Sequence, residues 1–182
     1  MHPISSEQWI TLEGLCQSQN LKKQGHVVRE GELFGQEVFV ESGVLRAYKV
    51  DEEGNDRSIA FFEAGHFMST SFLRTKNGKS LYHYQALCET RILTFNAKKL
   101  KDFFSSTVGL SAIGKSIKDQ QIAQWTERDT CLVQAKAKDK YLKFIEFHPR
   151  VESLISQKYI ASYLGITPVS LSRIKSALHQ AN

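Results

Sequence analysis

Seven glycines punctuate residues 25–78 and leave little room between them for anything but short strands. Gly25, Gly31, Gly35, Gly43, Gly54, Gly65 and Gly78 recur at intervals of about ten residues. The runs they separate are Val27-Val28, Val38-Phe39-Val40, Val44-Leu45-Arg46-Ala47-Tyr48 and Ile59-Ala60-Phe61-Phe62, with Arg91-Ile92-Leu93-Thr94-Phe95 following the last of them. Short β-branched and aromatic runs bounded by turn residues at this spacing fold as a sandwich or small barrel. Asp51-Glu52-Glu53-Gly54-Asn55-Asp56 is polar throughout and reads as the tip of a hairpin.

At Asn96 the pattern changes. An Asn cap opens a short helix over 97–104, and Ser105-Ser106-Thr107 offers caps for a long helical stretch to about residue 136. Its apolar positions, among them Ile113, Ile117 and Trp125, cover about half the circumference when Leu110, Ile122 and Leu132 are included. That width suits a helix held between its own domain and a second copy of the chain, with Ile113, Ile117, Gln121, Gln124 and Trp125 at the dimer contact. Gln121, Gln124 and Arg128 interrupt the stripe, so it is no regular leucine zipper. The plainer alternative is a helix that covers one flank of one domain. The fold class expected is therefore α+β: a jelly-roll or β-roll over 1–106, a central dimerisation helix over 107–135, and a helical unit over 136–182.

Composition narrows the class. The chain has 182 residues, 41% of them hydrophobic and 24% charged, which suits a globular protein with a real core. No run of about 18 apolar residues is present to span a membrane, and the first twenty residues lack the pattern of a signal peptide. Three dispersed cysteines (Cys16, Cys88, Cys131) suit a reducing compartment and a cytoplasmic location, and cannot make a four-cysteine metal or iron–sulfur site. Residues 1–106 carry 13 Lys+Arg against 13 Asp+Glu, residues 107–135 carry 3 against 3, and residues 136–182 carry 8 against 3. The whole net charge of +5 thus sits in the last 47 residues. A neutral body with a basic end is the electrostatic layout of a nucleic-acid binder; a solvated lysine-rich helix face is the bland reading.

The basic end is also punctuated. His148-Pro149 stops a helix over 135–147. Ser156 can cap a helix running to Leu164, and Gly165 follows where the backbone needs positive φ. Thr167 caps again and Pro168 takes the first helical position, where its missing N–H costs nothing. Ile160, Ala161, Leu164, Ile166, Leu171 and Ile174 are placed for a shared core. Two short helices joined by a turn of three residues follow the helix-turn-helix plan, whose second helix enters the major groove. The outward side then carries Ser170, Ser172, Arg173, Lys175 and Ser176. Arg173 is the candidate for base readout, and Thr167, Lys158, Tyr159 and Lys175 for phosphate contacts.

The order of these parts resembles the Crp/Fnr family of bacterial transcription regulators across about residues 20–180. The stretch Tyr159-Ile160-Ala161-Ser162-Tyr163-Leu164-Gly165-Ile166-Thr167-Pro168-Val169-Ser170-Leu171-Ser172-Arg173-Ile174 is similar to a Bacteroidetes-type branch. Glu41-Ser42-Gly43-Val44-Leu45-Arg46, Phe61-Phe62-Glu63-Ala64-Gly65-His66-Phe67 and Tyr141-Leu142-Lys143-Phe144 add support. The resemblance implies a β-roll of cyclic-nucleotide-binding type with a sensory pocket, a homodimer joined through the central helix, double-stranded DNA as partner, RNA polymerase as a further one, and no enzymatic activity.

The chain departs from the family in two places. Members that bind cyclic AMP hold a Gly-Glu pair after Gly-x-Phe, and an Arg-Ser or Arg-Thr about ten residues later. Here Gly65-His66-Phe67 is followed by Ser69-Thr70, and the later pair falls at Ser80-Leu81. A cyclic phosphate needs a cation and a ribose hydroxyl a carboxylate, so binding of cyclic AMP or cyclic GMP in the usual way is not expected, and no cofactor is. Phe67, Met68, Ser69, Thr70, Phe72, Tyr82 and Tyr84 then line either a pocket for another effector or a β-roll filled by its own side chains. At the other end, the family's β-hairpin wing is expected to be missing before Asn182.

Two other classes stay in view. One is a small-ligand-binding module with little or no DNA role. The other is a metal-dependent jelly-roll enzyme, for which no His-x-His pair, nucleophile elbow or phosphate loop is present. His26, His66 and His83 are ordinary surface or core histidines on this reading, and no metal site is expected.

Overall fold

The computed structural model describes residues 6–68, 75–106 and 111–180, with side chains described for 10–68, 75–106 and 114–180. A helix α1 (Ser6–Gly14) leads into β1 (Cys16–Leu21), β2 (His26–Val28), β3 (Gln36–Ser42), β4 (Val44–Val50), β5 (Asp56–Glu63), β6 (Phe67–Met68), β7 (Thr75–Lys76), β8 (Lys79–Ser80), β9 (His83–Ala86) and β10 (Thr90–Asn96). Helices α2 (Ala97–Ser106), α3 (Ser111–Leu132), α4 (Ala137–Phe147), α5 (Val151–Leu154), α6 (Gln157–Leu164) and α7 (Pro168–Gln180) complete the chain.

The strands form two four-stranded antiparallel sheets, ordered β1-β10-β3-β6 and β2-β9-β4-β5, plus the small β7-β8 hairpin. Alternation decides the packing: residues two apart share a face. Val38, Val40 and Ile92 of the first sheet meet Leu45, Ala47, Ala60, Phe62, Tyr84 and Ala86 of the second in one closed core. Gly43 makes the sharp link between β3 and β4 at φ +84°, and a Cβ there would stand 2.5 Å from the Glu89 carbonyl oxygen. No other residue fits that corner without moving backbone. The α+β class and the hairpin between β4 and β5 are as the sequence indicates. Helix α1, strand β1 and the short α5 were not legible from it.

Helix α2 begins where its cap indicates, and α4 begins at Ala137, two residues later than expected. Asn96 Oδ1 accepts the Lys99 N–H at 3.0 Å and opens α2. Helix α3 ends at Leu132, its start over 107–110 lies outside the described residues, and it lies along its own β-roll. Gln120 Oε1 accepts the Phe67 N–H at 3.2 Å, Gln121 Nε2 donates to the Phe67 carbonyl, and Gln124 Nε2 donates to the Phe61 carbonyl at 3.4 Å. Gln121 and Gln124 are buried. This corrects the expectation that they face a second copy: a glutamine amide both donates and accepts, so it satisfies strand backbone that a leucine would leave unpaired. Ile122 and Trp125 remain exposed, Ile117 is half-buried, and the Ile113 side chain lies outside the described residues.

A second core forms on the outer side of the sheet β2-β9-β4-β5. Val44, Phe61 and Leu87 of the β-roll pack with Cys131 of α3 and with Tyr141, Phe144, Val151, Ile155, Ile160, Tyr163 and Leu164 of the C-terminal helices. Polar groups lie buried in the same seam. Arg46, 2% exposed, is ion-paired to Asp56 at 2.5 Å, bonded to Gln85 Oε1 at 2.9 Å, and held between the Tyr48 and Tyr159 rings, each centred 4.1 Å from the guanidinium carbon. Ser162 Oγ accepts the Ser58 N–H and donates to the Asp56 carbonyl, both at 2.9 Å. His148 Nδ1 lies 3.1 Å from Glu63 Oε1.

Candidate nucleic-acid interface

The last two helices run where their punctuation indicates, although the Ser156 side chain makes no capping hydrogen bond to the start of α6. Ser156 sits in extended backbone before α6, and Gly165 ends it in the left-handed region at φ +65°, with the Ile166 N–H bonded to the Ala161 carbonyl at 3.0 Å. Thr167 Oγ1 accepts the Ser170 N–H at 3.1 Å and so caps α7, which begins at Pro168. Leu171 is fully buried, and Ile166, Ile174 and Leu178 pack partly against the same core. That fixes the rotation of α7 about its axis and turns Val169, Ser172, Arg173 and Ser176 to solvent.

The side chains named from sequence divide into three groups. Ser172, Arg173, Ser176 and Lys158 are exposed together with Thr167. Thr167 Oγ1 and Ser170 Oγ are bonded to one another at 2.9 Å, so both hydroxyls are committed to the helix start. Lys175 is half-buried and its amine lies 2.6 Å from Glu152 Oε1, which also accepts from Tyr141 Oη. Burial drives the Glu152 carboxyl up, but these two hydrogen bonds outweigh it and leave it below its ordinary value. Tyr159 is the correction: it is 4% exposed, its ring is covered by the Arg46 guanidinium, and it has no surface to offer a phosphate. An aromatic in the first turn of a short helix reads equally as groove-facing or core-facing until its partner, here 113 residues earlier in the chain, is known.

Two features escaped the sequence reading. Glu152, which restrains Lys175 from 23 positions away, gives no periodic signal. Val169 does: it lies on the α7 stripe of Arg173 and is 59% exposed.

Of the residues named for an effector pocket, the described ones do not converge on one cavity. Met68 and Tyr84 are fully buried in the closed core, and Tyr82 packs beside them with its ring 6.5 Å from that of Tyr84. Phe67 points to the opposite face of β6, where its ring meets Phe39 at 4.9 Å and Phe95 at 6.3 Å. Neighbours on a strand alternate, so Phe67 and Met68 could not both line one cavity. Ser69, Thr70 and Phe72 lie outside the described residues. Ser80, where the family pattern places a cation for the phosphate, is 3% exposed and donates its hydroxyl to the Tyr82 carbonyl at 2.7 Å.

Residues 18–107 match the cyclic nucleotide-binding domain family. Those residues are similar to a cyclic nucleotide-binding domain, and the chain as a whole has the fold of solved Crp/Fnr regulators. FixK2 from Bradyrhizobium japonicum superposes with a TM-score of 0.78 at 19% identity, over 91% of this chain and 85% of that one. CLP of Xanthomonas campestris, a c-di-GMP-responsive global regulator, gives 0.72 at 13% identity over 97% and 93%. A CRP-family transcriptional regulator from Thermus thermophilus gives 0.71 at 12% identity over 90% and 85%. No curated protein sequence matches this chain. In this fold the matched residues supply the inner core and one wall of the outer one. Among the described residues no group of three or more His, Cys, Asp or Glu is placed to hold a metal ion. Nor is any described helix long and apolar enough to cross a membrane.

Proposed function

We propose that this chain is a Crp/Fnr-type transcriptional regulator that binds double-stranded DNA as a homodimer in the cytoplasm, and that it is not an enzyme. The observation that carries this reading is the exposed face of α7. Its inner side is locked by Leu171, while Arg173, Ser172 and Ser176 stand exposed at the basic end of the chain. Arginine grips guanine O6 and N7 with two hydrogen bonds, and the hydroxyls suit base edges or phosphates. A second copy supplies the second half-site about 34 Å away, and the exposed Ile122 and Trp125 of α3 are the apolar surface for that contact. The division into a sensor over 1–106, a dimerisation helix over 107–135 and a DNA-binding unit over 136–182 belongs to this reading. So does a contact with RNA polymerase.

The test is a gel shift of the full chain on duplexes from its own promoter region. Binding is expected to weaken steeply between low and physiological salt, and Arg173→Ala is expected to lower affinity by about tenfold or more at the preferred site. Binding indifferent to both salt and Arg173→Ala overturns the proposal. Cyclic AMP is not the effector on this reading, because the Ser80 hydroxyl is spent within its own turn and Met68 and Tyr84 fill the interior. Calorimetry with cyclic AMP and cyclic GMP is expected to be flat, and micromolar binding of either would refute that part.

A further inference from the structure

Resting on that reading, we propose that Val169 recognises the 5-methyl group of a thymine close to the guanine gripped by Arg173. Val169 is the second residue of α7 and is 59% exposed, although the rest of that stripe (Ser172, Arg173, Ser176) is polar. A single exposed valine elsewhere would mean nothing. Its position gives it meaning: the first turn of a recognition helix is the part that meets base edges.

Chemistry selects the target. A valine neither donates nor accepts, and of the groups displayed in the major groove only the thymine methyl is apolar. The polar neighbours are not competitors there, since Thr167 and Ser170 are bonded to each other and to the start of α7. Val169 and Arg173 stand one turn apart on the same side, a rise of about 6 Å, and base pairs stack about 3.4 Å apart. The thymine therefore lies one or two base pairs from the guanine. Valine is stiff at χ1, so little freedom is lost when the contact forms.

The experiment uses the full-length chain. Duplexes are selected from a randomised pool, and each thymine of the selected half-site is replaced in turn by deoxyuridine, which removes only the methyl. One replacement within two base pairs of the conserved guanine is expected to weaken binding about fourfold, the effect of one methyl buried from water. Val169→Ala is expected to bind the thymine and uracil duplexes equally, with an unchanged thermal midpoint because the side chain is not part of the core. A wild-type chain indifferent to every uracil, or a Val169→Ala chain that keeps the full thymine preference, overturns the inference while leaving DNA binding intact. A pool that yields no enriched sequence overturns the regulator reading itself, and this inference with it.

Discussion

The two faces of one sheet, β2-β9-β4-β5, solve the problem of burial in opposite ways. The inner face presents Leu45, Ala47, Ala60, Phe62, Tyr84 and Ala86 to the other sheet. The outer face presents Val44, Phe61 and Leu87 together with Arg46, Ser58, Gln85 and Glu63 to the C-terminal helices. Hydrophobic burial is non-directional, so the inner face tolerates many apolar substitutions of similar volume. The outer face is tied by named polar pairs whose loss leaves a buried donor or acceptor without a partner. A sheet with one apolar face holds a roll together; a sheet with a second, mixed face also fixes where another unit sits on it.

The largest effect that tests this contrast is Phe62→Ala, expected to cost about 3–5 kcal/mol in urea unfolding. Phe61→Ala removes the same side chain from the next position, where it meets Tyr163 at 5.2 Å and Phe144 at 6.0 Å. It is expected to cost less and to separate unfolding of the C-terminal helices from that of the β-roll. A single transition with the full Phe62 penalty for both would erase the distinction. Ser162→Ala comes next, at about 1–3 kcal/mol, because the buried Ser58 N–H loses its acceptor. Hydrogen exchange should quicken at Ser58 and not at strand β3.

The smallest effect is a pH response confined to the outer side. Burial lowers the His66 pKa below 6.5, the Glu63 carboxylate opposes this, and His148 adds to it. Its Nδ1 accepts the Glu63 N–H at 2.9 Å, a bond only the neutral ring can make. A depressed histidine pKa contributes stability that is complete above 6.5 and is lost as pH falls below that value. His66→Gln should flatten the thermal midpoint between about pH 5 and 7 without changing it above. A midpoint that still falls as steeply in the variant would locate the response elsewhere.

The inner face was legible in the sequence because its residues follow the period of two between glycines. The helix pair was legible because Gly165, Thr167 and Pro168 each do one job that few residues can do. The outer face was not. Arg46 and Gln85 alternate with Leu45, Ala47, Tyr84 and Ala86 as a solvent face would, and nothing local reveals that the Tyr159 ring will cover the Arg46 guanidinium. Gln121 and Gln124 misled for the same reason: their stripe suits contact with a second copy as well as with the chain's own strands, and here they bind strand backbone. Local periodicity encodes which side chains share a face, and only long-range pairing decides what that face meets.

The Ser162 hydroxyl has one more consequence. Strand β5 is the last in its sheet, and Ser58 N–H and the Asp56 carbonyl are groups a further strand would use. One serine substitutes for that missing neighbour. Lifting α6 away would bare a templating edge, so any undocked form of this protein should be prone to recruit other chains by strand addition, and docking doubles as protection against fibre growth.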